Sequence, residues 1–404
     1  MMQSLKSEVV NYAWPVTSIN YFDYIAFEEW YTKYNIGSID KIIIIYGAGI
    51  RGTEIYHFFK EKGFENFIFT DSNSEKWSGC IEDKEIIEPA PAYELVKKGE
   101  AWILISTENY KGIASGLEKE GLVGGKDYFY IDAKMYERYS EEFKRPCNNK
   151  YLFMGDCEYT TISVNDEDKR NLGEMLKDSL GCADTKILAM HGMGVRSFYN
   201  IYNVYVDRYG VPNSLVVMIN FDTLNGMQHL LPRSQHEELL INIYNMGNDE
   251  NSEFKEYLAD VHERTNNLNA EFQTKSKSNS KLKNRNYMKL NYLYSLNIAT
   301  EGVVYLEKLV KKALSQNVKV LPYIPPVNYK MGEELFGDEF HDKYSANVNK
   351  IQSVLKKYDV ELLDMSFLLD TDCFAELNTP DETANQKGRK LIVNTMEERL
   401  GRLL

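Results

Sequence analysis

Cysteine is scarce in this chain, and its few copies are placed in a way that excludes two kinds of protein. The five residues are Cys80, Cys147, Cys157, Cys182 and Cys373. Because they are odd in number and scattered, with no pair at the short spacing of zinc ligands, the sequence predicts neither a disulfide framework nor a metal site. A reducing compartment is the simpler expectation, since disulfides persist in oxidising ones.

Long apolar segments and positive charge are also in short supply. No apolar segment approaches the ~20 residues that a helix needs to span a bilayer, and residues 1–14 are acidic and polar where a signal peptide has an apolar core. We therefore expect a soluble, cytoplasmic protein that does not span a membrane. The net charge of −13 argues against nucleic acid as a partner, because such binders need a basic surface along the phosphates.

The chain does have enough apolar sequence for two cores. Hydrophobic residues make up 43% of the 404 positions, which is typical of a globular protein, and this length exceeds what one core usually holds. Short apolar strands alternate with helical segments, which predicts an α/β fold with parallel sheets. We place an aromatic-rich, helical N-terminal segment at residues 1–39, a first domain at 40–134, a linker at 135–149 and a second domain at 150–404.

A glycine-rich turn follows the first buried strand, Lys41–Tyr46, and leads into an amphipathic helix predicted from residue 53 to about residue 62. The turn has the spacing GxGxxG. In that spacing Gly47 permits a tight turn, Gly49 permits a phosphate to approach the backbone, and Gly52 lets helix and strand pack closely. The free N–H groups at the helix N-terminus favour an anion at the same place.

The next predicted strand, Asn66–Thr70, ends at Asp71, which follows the glycines at about the distance of a ribose-hydroxyl ligand in dinucleotide-binding folds. Further strands are predicted at Ala101–Thr107 and Tyr128–Asp132, with a helix at 110–120 between them. The sequence therefore predicts a small Rossmann-like parallel sheet.

This first domain resembles one that is common in bacterial polysaccharide-synthesis proteins. The shared pattern is Tyr-Gly-Ala-Gly, then Asp followed by Ser or Asn, then a Ser-rich end of the third strand. The resemblance implies binding of a nucleotide or sugar nucleotide, with no cofactor required for chemistry, by Gly47, Gly49, Arg51, Gly52 and Asp71. The alternative is a nucleotide fold that no longer binds. Nothing here resembles a hydride-transfer residue, so we do not predict a dehydrogenase.

Strands alternate with helices again in the C-terminal two-thirds. Strands are predicted at 150–154, 186–190, 214–219, 318–323 and 360–364, and helices at 166–180, 235–245, 303–315 and 344–357. The basic, low-complexity segment 274–285 predicts a mobile loop between helices, which either stays solvated or meets an anionic substrate.

The segment Lys150–Cys157 predicts a buried strand that runs directly into a tight turn. Tyr151–Met154 is apolar and too short for a helix, Gly155 relaxes the backbone, and Asp156 favours a turn. Cys157 would then lie at the carboxyl end of a strand, where open α/β sheets bind ligands, and its thiol is the best nucleophile candidate in the chain. The plainer alternative is a buried Cys that behaves as a small hydrophobe.

Polar residues follow the other strands of this second sheet as well. They are the segments His191–Arg196, Asn220–Asp222 and Thr379–Arg389. Two further motifs, Leu230–His236 and Pro326–Tyr329, belong to the same pattern. Their order resembles the SGNH (GDSL-like) hydrolase superfamily, in particular the teichoic-acid D-alanyl-transfer protein and polysaccharide O-acyltransferases, over roughly residues 150–404. The resemblance implies a three-layer α/β/α sandwich. It also implies an acyl esterase or O-acyltransferase whose substrate is a small molecule, a glycan or a cell-surface polysaccharide precursor.

The resemblance also assigns roles to residues. The nucleophile position, within the turn Gly155-Asp156-Cys157, is Cys157. Oxyanion donors fall at the backbone of Cys157, at Gly192 or Gly194 and at Asn220, and each such donor contributes ~3 kcal/mol to the transition state. The aspartate of the base pair falls at Asp381.

Two departures from the family pattern bear on activity. The nucleophile is Cys instead of Ser, which can work where its pKa is lowered. Thr383 stands where the family has its base, His, and a hydroxyl cannot take a proton near neutral pH. Either another residue takes the place of the base, with His191, His229 and His236 as the candidates and Glu382 as a weaker one, or the site binds a glycan or sugar nucleotide without cutting it.

Overall fold

The computed structural model describes residues 10–12, 16–107, 110–225, 232–247, 251–271, 280–375 and 383–403. It is an α/β protein with parallel sheets, as the sequence predicts. The chain divides into two units, Met1–Lys134 and Met135–Leu404. Within the described ranges, no helix combines the length and the apolar character that crossing a membrane requires.

Over its described residues, the first unit contains seven strands and four α-helices. The strands are β1 (Ser18–Asn20), β2 (Ile42–Tyr46), β3 (Phe67–Thr70), β4 (Cys80–Ile81), β5 (Lys84–Ile87), β6 (Ala101–Ile105) and β7 (Tyr128–Tyr130). The helices are α1 (Tyr21–Lys33), α2 (Ile50–Glu61), α3 (Pro89–Lys97) and α4 (Tyr110–Lys119).

Six of these strands form one sheet in the order β4-β5-β3-β2-β6-β7. All neighbours are parallel except the hairpin β4–β5, so the parallel strands, numbered along the chain, lie in the spatial order 3-2-1-4-5, an order that doubly wound sheets share. Strand β2 is central because its run of isoleucines is buried, as β-branched residues in a covered parallel sheet should be.

The second unit contains the remaining strands and helices. The strands are β8 (Tyr151–Gly155), β9 (Thr161–Ser163), β10 (Thr185–Ala189), β11 (Ser214–Met218), β12 (Lys319–Ile324) and β13 (Leu363–Asp364). The helices are α5 (Met135–Lys144), α6 (Leu172–Leu180), α7 (Val195–Tyr209), α8 (Phe221–Leu224), α9 (Glu237–Tyr244), α10 (Ser252–Glu271), α11 (Ser280–Asn291), α12 (Glu301–Ser315), α13 (Tyr329–Phe336), α14 (Asp338–Lys356) and α15 (Gln386–Leu403).

Five parallel strands of this unit form a sheet in the order β10-β8-β11-β12-β13. Successive residues of β8 face opposite sides, as the pleat requires. Leu152 and Met154 belong to a hydrophobic cluster that includes α7 and α12, whereas Phe153 belongs to a second cluster that includes α6 and α15. Both faces of the sheet are therefore covered by helices.

Three segments differ from the sequence-based prediction. The predicted linker, 135–149, contains helix α5, whose Tyr139 and Phe143 are buried in the second unit. The segment was predicted as a linker because it has many charged residues, but a surface helix needs only a narrow apolar stripe. Within the predicted loop 274–285, residues from Ser280 onward begin helix α11, and the earlier part lies outside the described residues. The helix after the glycine-rich turn begins at Ile50, three residues before the predicted start.

Candidate functional site

The turn after β8 depends on a glycine for a steric reason. A Cβ atom on Gly155 would lie 2.3 Å from the ring of Tyr159, and that ring is buried, its hydroxyl accepting a hydrogen bond from Tyr323 at 2.8 Å. The sequence suggested that Gly155 relaxes the backbone, but its φ is not in the left-handed region. The absence of a side chain at Gly155 therefore lets the chain fold back on β8. Cys157, two residues further along, is partly exposed at the strand end.

Strand β10 places His191 beside this turn. Ala189 pairs with Gly155, and the next residue, Met190, donates its backbone N–H to the Gly155 carbonyl at 3.3 Å. The parallel register therefore carries His191 to the sheet edge where Cys157 begins a short 3-10 helix. Gly192, with φ of +66°, follows in the same turn, as does Gly194, the N-cap residue of α7.

Strand β11 brings Asn220 to the other side of β8. Val217 pairs with Met154, so that Asn220 reaches the end of β8. Its Nδ2 donates to Asp156 Oδ2 at 3.2 Å, and its Oδ1 accepts from the backbone N–H of Asp222 at 3.3 Å. Asn220 is thus held at both ends of its amide and joins the loops after β8 and β11.

Asp156 is a buried carboxyl group with an unusual electrostatic environment. It is 3% exposed, and burial raises its pKa to about 6, against the hydrogen bonds from the Glu158 N–H, Asn220 and Cys157. Among the described residues, no lysine or arginine pairs with it. A carboxyl group that titrates near neutral pH beside a thiol is typical of a functional site.

Two of the three candidate histidines have a described structure, and they differ. Each nitrogen of His236 has a partner: Nε2 donates to the His191 carbonyl at 2.7 Å, and Nδ1 accepts from the Tyr136 hydroxyl at 3.3 Å. Burial lowers the pKa of His236 to about 3, so it stays neutral and holds the backbone of His191. His236 therefore has both ring nitrogens engaged, one by the Tyr136 hydroxyl and one by the His191 carbonyl.

The His191 ring lies 5.1 Å from the His236 ring, centroid to centroid. Burial also lowers the pKa of His191, and no hydrogen bond joins its ring to another residue of the described ranges. His229 lies outside those ranges, as does Glu382.

The C-terminal part of the predicted site is anchored by a buried ion pair. Arg389 Nη1 lies 2.7 Å from Asp166 Oδ2, with both side chains buried, and the same nitrogen donates to the Ala384 carbonyl at 2.9 Å. Thr383, which precedes Ala384 in the chain, is also buried. Asp381 lies outside the described residues, so its role as the aspartate of the site stays a prediction.

In the first unit, the residues of the glycine-rich turn bind one another. Gly47 has φ of +118°, and the N–H of the following Ala48 donates to Asp71 Oδ2 at 2.8 Å. Lys76 Nζ lies 2.8 Å from that same oxygen and donates to the Ala48 carbonyl at 2.8 Å. Asp71, predicted as a ribose ligand, thus closes the turn in this structure. Lys76 was not predicted, because the motif gives no signal for it.

Of the other three predicted ligand residues of this turn, two also have internal contacts. A Cβ atom on Gly52 would lie 2.1 Å from the Gly47 carbonyl oxygen, which confirms the steric reason for that glycine. Arg51 Nη2 donates to the Ile131 carbonyl at 2.6 Å and pairs with Asp23 at 2.8 Å. Gly49 differs, because a Cβ atom there would meet nothing within 4 Å.

Two open cavities lie away from both groups of predicted residues. One, of about 660 Å³, follows the end of α14 and is lined by residues such as Gln352 and Leu362. The other, of about 620 Å³, lies at the amino ends of β2 and β6 and is lined by residues such as Lys41 and Trp102. None of the predicted site residues lines either cavity.

No model of a protein family matches the chain, and no curated protein matches it in sequence. Among solved structures, it is similar to a GDSL-like lipase from Bacteroides thetaiotaomicron at 11% identity and a TM-score of 0.33, over 67% of this chain and 98% of that one. It is also similar to the protein YxiM of Bacillus subtilis at 10% identity and a TM-score of 0.34, over 64% of this chain and 58% of that one. At TM-scores this low, neither similarity supports a conclusion about the function of this chain. We infer that function from the chain's own residues.

Proposed function

We propose that the second unit is an acyl esterase or O-acyltransferase that forms a thioester on Cys157. The observation that carries this proposal is the hydrogen bond from Asn220 Nδ2 to Asp156 Oδ2 at 3.2 Å. It joins the ends of two neighbouring strands, β8 and β11, and the turn after β8 carries the partly exposed thiol of Cys157. An amide NH₂ group has two hydrogens, and the role we propose for Asn220 is to donate one of them to an oxyanion beside Cys157.

In the proposed reaction the Cys157 thiolate attacks the carbonyl carbon of an ester. The carbonyl oxygen becomes an oxyanion, which accepts hydrogen bonds from Asn220 and from the backbone of the turn. The carbon–oxygen bond of the ester then breaks, and the alcohol leaves with the proton that the thiol had given up. Attack by water on the thioester gives a carboxylic acid, and attack by a sugar hydroxyl gives a new ester. Either attack regenerates the thiol.

His191 is the proposed base for the thiol proton. Its lowered pKa keeps the imidazole neutral and able to accept a proton at neutral pH. The β10 register supports this role because it delivers His191 to the end of β8. His236 fixes the His191 backbone through its Nε2–H, which would hold the base in place as catalysis requires.

The proposal includes a carbohydrate or polysaccharide precursor as the substrate, a nucleotide or sugar nucleotide at the first unit, and a cytoplasmic location. Support for the nucleotide comes from the 3-2-1-4-5 strand order and from the open space at Gly49, where a phosphate could approach. Because Asp71 already binds Ala48 and Lys76, a ribose contact at Asp71 would need an additional hydrogen bond to its carboxylate.

Ester hydrolysis by the purified full chain tests the enzyme. We expect turnover of p-nitrophenyl acetate that falls at least about 10³-fold in Cys157→Ala, because a site without its nucleophile keeps only the oxyanion donors. His191→Gln should lower kcat by about 10²-fold and remove the rise of the rate with pH that a histidine base gives. Cys182→Ala, which changes an exposed thiol, is the matched control. Turnover that survives unchanged in Cys157→Ala would refute the thioester.

A second candidate is a protein that binds an acylated glycan without cutting it, and Thr383 favours it. This buried residue replaces the family's base, and His236 is committed to other hydrogen bonds. A thermal-shift screen with acetylated oligosaccharides and sugar nucleotides, run beside the ester assay, separates the two. Stabilisation without turnover supports binding alone, whereas turnover that depends on Cys157 rejects it.

A further inference from the structure

The loop after β12 contains a buried side-chain amide, that of Asn328, whose oxygen accepts a hydrogen bond while its nitrogen has no partner among the described residues. Asn328 is 1% exposed and is the N-cap residue of α13, its Oδ1 accepting from the Met331 N–H at 3.3 Å. Because a backbone N–H needs an acceptor, this contact fixes which end of the amide is oxygen. Asn328 Nδ2 finds no hydrogen-bond partner among the described residues. A buried donor without an acceptor is costly. Nδ2 has almost no accessible surface, so a ligand oxygen would satisfy it after a small movement of the loop.

An aromatic surface adjoins this amide. The Val327 N–H donates to the Ser366 carbonyl at 3.0 Å, which fastens the loop after β12 to the loop after β13. The next residue, Phe367, is 38% exposed. Its ring lies 5.5 Å from the Tyr329 ring and 4.8 Å from the His341 ring, centroid to centroid. Exposed aromatic faces beside a few fixed polar groups are typical of ligand sites.

This surface shares a sheet edge with the proposed thioester site. Strand β12 pairs with β11 in parallel, and the Ile219 N–H donates to the Tyr323 carbonyl at 2.8 Å, just before Asn220. The carboxyl ends of β8, β11, β12 and β13 therefore follow one another along the edge, and neighbouring strands lie about 4.8 Å apart. A ligand of two or three sugar rings is long enough to reach from Cys157 to Asn328.

We propose that Asn328, Tyr329, His341 and Phe367 form a subsite, the β12–β13 subsite, for a neutral sugar ring of the substrate. The amide Nδ2 donates to a ring or hydroxyl oxygen, while the C–H face of the sugar packs on Phe367. The charged neighbours Lys330 and Asp370 pair with each other at 2.7 Å and so leave no net charge, which favours a neutral sugar over a phosphate. The assignment to substrate rests on the proposed function; the sugar binding does not.

Direct binding tests the subsite without relying on turnover. The full chain carrying Cys157→Ala is applied to an array of neutral oligosaccharides, acetylated and unacetylated, and the strongest ligand is titrated by calorimetry. Asn328→Ser keeps a capping oxygen but removes the amide donor, and we expect it to weaken binding at least about tenfold. Phe367→Ala should weaken binding by a similar factor, because it removes the exposed ring.

Matched variants separate recognition from folding. Asn171 is a buried N-cap residue whose Oδ1 accepts from the Glu174 N–H at 2.8 Å, and Tyr287 is an aromatic residue that is 39% exposed. Asn171→Ser and Tyr287→Ala should leave the dissociation constant within about twofold. The subsite is refuted if no neutral oligosaccharide binds, or if Asn328→Ser and Phe367→Ala both bind as the parent does.

The ester assay distinguishes this failure from failure of the proposed function. Sugar binding that depends on Asn328, in a protein that cleaves no ester, rejects the enzyme and keeps the subsite. Ester cleavage that depends on Cys157, together with sugar binding that is unchanged in Asn328→Ser and Phe367→Ala, supports the enzyme and rejects the subsite.

Discussion

Both units end a central parallel strand in a tight turn and place an aspartate at the carboxyl edge of the sheet, yet the two aspartates are treated differently. Asp71 has a cation, since Lys76 Nζ lies 2.8 Å from its Oδ2, and that oxygen also accepts the Ala48 N–H. Asp156 receives hydrogen bonds from Asn220 and Glu158, and burial raises its pKa to about 6. Within the described residues, no cation pairs with it.

The difference shows which turn is complete by itself. In the first unit the carboxylate is used to hold the loop, so the turn is stable without a ligand. In the second unit a carboxyl group is kept buried at a cost to stability, beside a thiol and an amide donor. Natural proteins retain such costs mainly where a site needs them. The second turn is therefore the better candidate for chemistry, whereas the first turn is held closed by its own residues before any nucleotide binds.

The largest expected effect tests the self-contained turn of the first unit. Gly52→Ala places a Cβ atom 2.1 Å from the Gly47 carbonyl oxygen, and backbone must move to relieve the clash, so we expect a loss of about 4 kcal/mol in the free energy of unfolding. Urea denaturation measures it. Gly49→Ala, whose Cβ would meet nothing within 4 Å, is the control and should change stability by less than about 1 kcal/mol. Equal losses in the two variants would show that the turn is not closed as described.

The next effect concerns the pH dependence that Asp156 imparts. Its folded pKa of about 6 lies above the ordinary 3.8, so its contribution to stability is fully present below pH 3.8 and is lost as pH rises through 6. Asp156→Asn removes that loss. The free energy of unfolding of the variant, relative to the parent, should therefore rise by about 2–3 kcal/mol between pH 4 and pH 7. Urea titrations at several pH values measure the difference, and a flat profile would mean that Asp156 ionises normally.

A smaller effect of opposite sign is expected for the aspartate of the first unit. Asp71→Asn removes the charge that Lys76 pairs with, although the amide oxygen can still accept the Ala48 N–H. We expect a loss of about 1–2 kcal/mol at pH 7, because the pair is only partly shielded from water. Thermal unfolding of this variant beside Lys76→Met measures the loss and its partner dependence. If Asp71→Asn stabilised the protein as Asp156→Asn does, the contrast between the two turns would disappear.

The strands were the most predictable part of the fold. Apolar runs such as Ile42–Tyr46 and Tyr151–Gly155 are buried wherever they occur, because a short run of large apolar residues between turn residues is stable only inside a sheet. Helix α5 was missed because charged residues dominate its composition, while only Tyr139 and Phe143 of the helix are fully buried. The hairpin β4–β5 was missed because each strand is very short and carries little apolar pattern.

The candidate site could be predicted in part. The order of strand-end motifs placed Asp156, Cys157, His191 and Asn220 at one sheet edge, because parallel strands bring their carboxyl ends together. It did not reveal that His236 would be committed to Tyr136 and to the His191 carbonyl. Asn328 was predicted only as part of the segment Pro326–Tyr329, with no role of its own. Which polar atoms find partners depends on side chains from distant segments, and spacing along the chain does not encode that.

The sequence by itself determined where the strands and the tight turns lie, because burial of apolar runs and the steric freedom of glycine act over a few neighbouring residues. The tertiary structure alone decided what each polar group at the strand ends does. Asp71 meets Lys76 while Asp156 meets an amide and a thiol, and the pKa of a carboxyl group follows from the charges and the water that surround it. Those surroundings are assembled from four or five segments that only the folded sheet brings together.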